Sequence, residues 1–249
     1  MNVHMLKTTT FLSNPPIQEA ILDFRFSSKD GNLLSKIQKY AEGATSRYPD
    51  KKDSVELKVE IPNTENQDEV KRERRIVGCL LKSENGSRLV QAASESFSCH
   101  VLPPYTKWDE LLGMMRYEWA EFSKYLDNTR ISRVGVRYIN NIEFEFVPGK
   151  PIGDYIRMVP TLPNTIPQVL DNFFVQITVP FENNIKAGIT LTLNEIKDNQ
   201  VSMIFDVDVF TIDNLLISDS LDSTLNTMRT IKNDIFFGTL SELALKNYL

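Results

Sequence analysis

The sequence predicts an α+β protein: antiparallel sheets with helices packed on one face, arranged as two similar β-α-β(3–4)-α halves. Three observations carry this. Several segments alternate apolar and polar residues with a period of two, the mark of a half-buried strand. Residues 106–126 carry a clean apolar stripe at helical spacing. The order of elements before residue 128 also recurs after it.

Each element follows from local pattern. Asn14-Pro15-Pro16 closes an extended, disordered start, because prolines remove donors and fix φ. From Ile17 to Phe26 the residues Ala20, Leu22, Phe24 and Phe26 share one strand face, with Glu19, Asp23 and Arg25 on the other. A polar turn through Ser27–Asn32 precedes a helix on Leu33, Leu34, Ile37, Tyr40 and Ala41. Val55, Leu57, Val59 and Ile61 alternate with charged residues, giving a second strand. A charged loop leads to a third strand over Arg75–Leu81. Asn85-Gly86 marks a hairpin turn, since Asn-Gly supplies positive φ. Arg88–Ala93 and Phe97–Leu102 are two further strands. The long helix then begins at Thr106, with Trp108, Leu111, Leu112, Met115, Trp119, Phe122 and Leu126 on its apolar side.

The second half starts with a strand over Ile131–Phe146, placing Val134, Val136 and Tyr138 opposite Arg133, Gly135 and Arg137. A short helix is expected over Pro151–Met158, proline occupying its first turn. Strands follow at Phe173–Val179, Ala187–Ile196 and Val201–Phe210. A terminal helix carries Leu221, Leu225, Met228, Ile231 and Ile235, with Gly238 as its cap and Thr239-x-x-Glu242 opening a last short helix. The expected division is an extended segment 1–16, a first half 17–127 and a second half 128–249, packed as one globular unit. This order resembles the half-domain of the TATA-binding-protein fold and the helix-grip folds. Those resemblances concern shape and carry no function.

Composition narrows the function. The chain has 249 residues, 41% hydrophobic and 24% charged, enough for a real core. A net charge of −5 argues against nucleic acid and anionic lipid, whose phosphates need a basic face. The basic cluster Lys71, Arg72, Arg74 and Arg75 is neutralised by Glu65, Asp68, Glu69 and Glu73, and reads as a solvated loop. Cys79 and Cys99 stand outside any CxxC or Cys/His spacing, and are expected as buried strand residues in a reducing compartment. The start has no continuous apolar stretch of a signal peptide, and no run reaches the roughly 20 residues that span a bilayer. A cytoplasmic location is the expectation.

Catalytic motifs are missing from the sequence. Ser98 and His100 share a strand face but stand about two strand rises apart, roughly 6.6–6.8 Å, and a triad needs an acid from elsewhere. The only other histidine is His4. No HExxH, DxDxDG or phosphate-cradling glycine loop occurs, so no metal or cofactor is expected. Two weaker features remain. Arg133 and Arg137, facing Asp206 and Asp208 from a neighbouring strand, form either a cross-strand ion-pair ladder or an anion-recognising groove. Pro103-Pro104-Tyr105, before Trp108, forms either a protein-docking corner or the entry angle of the long helix.

Three segments together, Asn14-Pro15-Pro16-Ile17-x-Glu19-Ala20, Leu102-Pro103-Pro104-Tyr105-Thr106-x-Trp108-Asp109-Glu110 and Arg133-x-Gly135-x-Arg137-Tyr138-Ile139-Asn140, resemble an uncharacterised, sporadically distributed prokaryotic family of this length, and the match extends to the Asp206-x-Asp208-x-Phe210 strand and the Lys232-Asn233-x-Ile235-Phe236 helix. The resemblance implies a bacterial or archaeal cytoplasmic protein and points to toxin–antitoxin or phage-defence settings. The expected function is a non-enzymatic protein-interaction or regulatory module working with another protein, such as a genomic neighbour, and a homodimer is compatible with it. The alternative is a protein that binds a small anionic ligand or nucleotide in a sheet groove, with or without hydrolysing it.

Overall fold

A computed structural model of the chain describes residues 12–28, 32–60, 71–127, 130–147, 149–168, 170–212 and 221–249. His4, the acidic residues Glu65, Asp68 and Glu69, Ile61 and the junction at residue 128 lie outside them. The elements run β1 (Ile17–Ser27), α1 (Leu33–Gly43), β2 (Asp50–Glu60), β3 (Lys71–Lys82), β4 (Arg88–Ala93), β5 (Ser96–Val101), α2 (Trp108–Ser123), β6 (Arg130–Glu145), β7 (Phe174–Pro180), β8 (Ile185–Lys197), β9 (Gln200–Thr211), α3 (Leu221–Thr239) and α4 (Glu242–Leu245). All nine strands join one antiparallel sheet in the order β2-β3-β4-β5-β1-β6-β9-β8-β7.

Outward from the β1–β6 pair the order is β1-β5-β4-β3-β2 on one side and β6-β9-β8-β7 on the other. Each half thus begins at the seam and returns to it through a meander. This symmetry of connection is a property of the topology, and no residue-level repeat accompanies it.

The period-two pattern decides which face is buried. Leu22 and Phe24 of β1, Val134 and Val136 of β6, and Phe205, Val207 and Val209 of β9 are almost fully buried on one face, which the helices cover. Phe24 meets Trp119 of α2 edge-on at 5.1 Å, and Phe97 stacks on Phe122 at 4.9 Å. Phe236 of α3 stacks on Phe205 at 5.9 Å. One hydrophobic core runs under both halves. Inside it sits a charge. Glu118 of α2 is only 2% exposed, accepts bonds from Tyr40 and Tyr48 at 2.8 and 3.1 Å, and pairs with Arg47 at 2.9 Å. Burial and the Glu118 carboxylate push both tyrosines far above the usual phenol range.

Several sequence expectations need correction. The basic cluster is strand rather than loop: β3 already includes Lys71, and Glu73, Arg74 and Arg75 project into solvent from it. The partner strand β2 starts at Asp50 and is not half-buried, since Val55 and Leu57 lie beyond the reach of the helices. The helix expected over Pro151–Met158 is one 3-10 turn, Ile152–Asp154. Tyr155 and Ile156 leave it to enter the core, and Ile156 bridges to Leu240. Gly238 lies inside α3, and Thr239 is buried at its end. The cap of α4 is Ser241, which accepts from the Ala244 N–H. The long helix begins two residues later than expected and ends at Ser123. Residues 12–16 are held rather than loose: Ser13 Oγ donates to the Leu249 carbonyl at 2.9 Å. Cys79 and Cys99 are buried free thiols in strands, as expected.

Candidate functional site

The uncovered face of the sheet carries the charged residues singled out from the sequence. Arg137 of β6 makes a bidentate contact with Asp206 of β9 at 2.6–3.2 Å. Arg133 bonds to Asp23 of β1 with one nitrogen and to Asp208 with the other, the latter at 2.6 Å, and its guanidinium lies 4.7 Å over the Phe210 ring. The four residues Arg133, Arg137, Asp206 and Asp208 are therefore brought together. Gly135 makes this possible, since a Cβ there would stand 2.1 Å from the Asp23 carboxylate.

Their guanidinium groups are spent on carboxylates of the same sheet, which is the geometry of a cross-strand ladder. Asp208 Oδ1 alone, among buried side-chain polar atoms of the described residues, has no partner. Burial, with Asp23 and Asp206 nearby, raises its carboxyl above the usual range against the pull of Arg133.

Ser98 and His100 do meet, against the strand-rise argument. Their backbones stand two rises apart, but the side chains lean together, and Ser98 Oγ lies 2.8 Å from His100 Nε2. His100 Nδ1 lies 2.7 Å from Glu19 of β1, which supplies the acid that the sequence did not reveal. The hydrogen bond with His100 holds the Glu19 carboxyl below the usual range. The order of groups is that of a Ser–His–acid triad. The surroundings are not. β5 is an interior strand, so the N–H groups beside Ser98 are committed to its neighbours, and Asp23 stands directly across from Ser98. An oxyanion formed there would face a carboxylate rather than a pair of donors.

The Pro103-Pro104-Tyr105 corner leads to the more capable site. The Pro103–Pro104 peptide is cis, both prolines are exposed, and Tyr105 turns inward. Its hydroxyl meets that of Tyr138, on the buried face of β6, at 2.7 Å. The two rings line a cavity of about 200 Å³ with Pro15 and Pro16 from the start of the described chain, Trp108 from the first turn of α2, and Arg229, Lys232 and Phe236 from α3. Four of the five motif segments noted in the sequence contribute to this wall, and the Asp206-x-Asp208-x-Phe210 strand does not.

The charge balance in the cavity is unusual. Lys232 Nζ lies 4.0 Å over the Tyr138 ring, and Arg229, one helical turn earlier, lies 5.5 Å over the Trp108 ring. Neither cation has an ion pair with a carboxylate among the described residues. Burial, with Arg229 adding, lowers the Lys232 amine to about 7. Burial likewise raises the Tyr105 and Tyr138 hydroxyls, keeping both protonated at neutral pH. Trp108 Nε1 donates to Asn226 of α3 at 3.1 Å, tying the two helices together at the cavity. Lys107, the residue before α2, makes no side-chain capping bond.

Sequence reasoning missed Arg229, Lys232 and Tyr138 as site residues. Lys232 lies beside the apolar stripe of α3 and reads as a solvated lysine, and Tyr138 reads as core. The available signal was positional: Lys232-Asn233 and Tyr138-Ile139-Asn140 stood in motif segments. No helix among the described residues is long and apolar enough to cross a membrane, and no group of three or more potential metal ligands occurs among them. No family model matches the chain, and the search of curated proteins finds no relative.

Proposed function

We propose that the protein binds a small anionic molecule, bearing a carboxylate or phosphate, in the cavity between the Tyr105 corner, β6 and α3. The observation that carries this is the Arg229–Lys232 pair, two cations one helical turn apart with no carboxylate paired to either among the described residues, on the wall of an aromatic-lined cavity. Arg229 is exposed on the cavity wall and Lys232 is partly buried; withdrawing the Lys232 cation from water without counter-charge costs free energy, and a ligand anion supplies that counter-charge. Aromatic walls suit the apolar body of such a ligand, with few polar groups fixing its orientation. The anion-binding alternative read from the sequence thus moves from the sheet ladder to this cavity, ahead of the protein-interaction module, the first expectation.

Calorimetric titration with pyruvate, lactate and inorganic phosphate tests the proposal. At least one should bind to the wild type at about pH 6, below the Lys232 midpoint, where the amine carries its charge. Arg229→Gln should weaken that binding by about tenfold or more, the equivalent of one charge-assisted bond. Equal affinity in the variant contradicts the reading.

A second reading, as a protein-interaction module, is favoured by apolar side chains on both edge strands. Leu57 of β2 is 61% exposed and Phe174 of β7 is 63% exposed. Open edges with such residues invite strand addition by another chain. Leu57→Lys and Phe174→Lys should abolish co-purification with a genomic-neighbour protein, while retention by both variants rejects this reading.

A further inference from the structure

Arg229 and Lys232 are not equivalent cations. A guanidinium stays charged at any accessible pH, so Arg229 is the permanent anion anchor. Lys232 sits deeper, partly buried over the Tyr138 ring, one turn from the Arg229 cation and without a carboxylate partner among the described residues; withdrawal from water and the neighbouring cation favour the free, nucleophilic amine against the ring's attraction for an ammonium. Beyond its ring lie two hydroxyls in contact, Tyr138 and Tyr105.

We infer that Lys232 captures a carbonyl compound as an imine, the ligand being a small anionic aldehyde or 2-oxo acid whose anionic group lies at Arg229 and whose carbonyl carbon lies at the Lys232 amine. This rests on the anion-binding reading of the same cavity. The step balances without an oxidant. The neutral amine nitrogen adds to the carbonyl carbon, the C–O π bond opens, and a proton moves from nitrogen to oxygen to give a carbinolamine. A second proton then leaves the nitrogen, the C–O bond breaks, and one water departs as the C=N bond forms. Both tyrosines line the same cavity, and their paired hydroxyls, held protonated by burial, are the source assigned to the proton that the departing oxygen requires. The lowered basicity of Lys232 supports the same chemistry, because it makes free amine available near neutrality.

The test uses the full chain with glyoxylate and pyruvate under cyanoborohydride, which reduces an imine to a stable secondary amine, followed by peptide mass mapping. The expected result is one adduct at Lys232, at least about tenfold above any other lysine, with labelling that increases between about pH 6 and 8 as the amine deprotonates. Lysine-to-methionine replacement at 232, checked for folding by circular dichroism, should remove it, and Arg229→Gln should lower it while leaving the amine in place. Lactate, which carries the anion but no carbonyl, should compete.

Labelling spread evenly over the lysines overturns the inference. If lactate and pyruvate bind with dependence on Arg229 but no adduct forms at Lys232, the imine falls and the anion site stands. If neither anion binds and nothing is trapped, both fall.

Discussion

The amine of Lys232 in α3 lies 4.0 Å above the ring of Tyr138 in β6, and the Tyr138 hydroxyl is bonded at 2.7 Å to Tyr105. This stack joins the second half of the chain to the corner that ends the first. It places a cation where the described residues give it no counter-charge.

Lys232 should make stability depend on pH in a defined window. Its folded amine titrates near 7, below the unfolded value of about 10.4, so between these the unfolded chain binds more protons. Stability therefore rises with pH from about 7 towards 10, and the penalty is fully present below 7. Lys232→Met should remove this component. Urea denaturation of both proteins across the window measures it: the wild-type midpoint should gain on the variant's as pH rises, and parallel curves contradict the assignment.

The ladder residues should prove dispensable for ligand binding. Alanine at Arg137 or Asp206 should leave anion affinity within about twofold, and a double-mutant cycle on stability should give a coupling of about 0.2–1 kcal/mol, the range for exposed pairs. Loss of binding in either variant returns the ligand site to the open face.

Gly135 and Gly188 lie on the same open face but should respond differently to alanine. At Gly135 the added Cβ meets Asp23 and Arg133 at 2.1 and 2.8 Å, forcing the ladder apart at a cost of about 1–3 kcal/mol. At Gly188 its nearest neighbour is 3.8 Å away, so alanine should be neutral or add up to about 1 kcal/mol through reduced unfolded-state entropy. Thermal melts of the two variants give the comparison.

Glu118→Leu should destabilise the fold by about 2–4 kcal/mol, because it leaves the Tyr40 and Tyr48 hydroxyls and Arg47 without their shared acceptor. A denaturation midpoint close to wild type contradicts the assigned role.

Ser98 should stay unlabelled by a fluorophosphonate probe. The Ser98–His100–Glu19 chain has the hydrogen-bond order of a triad, but Asp23 opposes the developing oxyanion. A phosphonate adduct at Ser98 that disappears in His100→Ala overturns the scaffold reading of that face.

The sheet was largely legible because period-two patterns such as Leu22-x-Phe24 and Val134-x-Val136 report one-sided burial directly. Arg137 and Asp206 were also readable, since alternation put both on one uncovered face. Alternation misled at Val55 and Leu57, where the sheet extends past its helices and both side chains stay exposed among the described residues. The cavity was not legible. It needs α3 laid across β6 and the Tyr105 corner folded beneath, and the position of Lys232 in its helix does not show what surrounds it. The Glu19–His100 contact was hidden for a related reason, since register between β1 and β5 is a tertiary fact.

Labelled-lysine NMR, following the Lys232 side-chain nitrogen or ε-carbon through a pH titration of the ligand-free protein, tests the central claim most directly. The account predicts a midpoint near 7 for this lysine, rising when an anion such as lactate is added. A midpoint at the ordinary lysine value of about 10.4 would mean that the amine already has its counter-charge or is well hydrated, and the cavity would lose its claim to bind an anion.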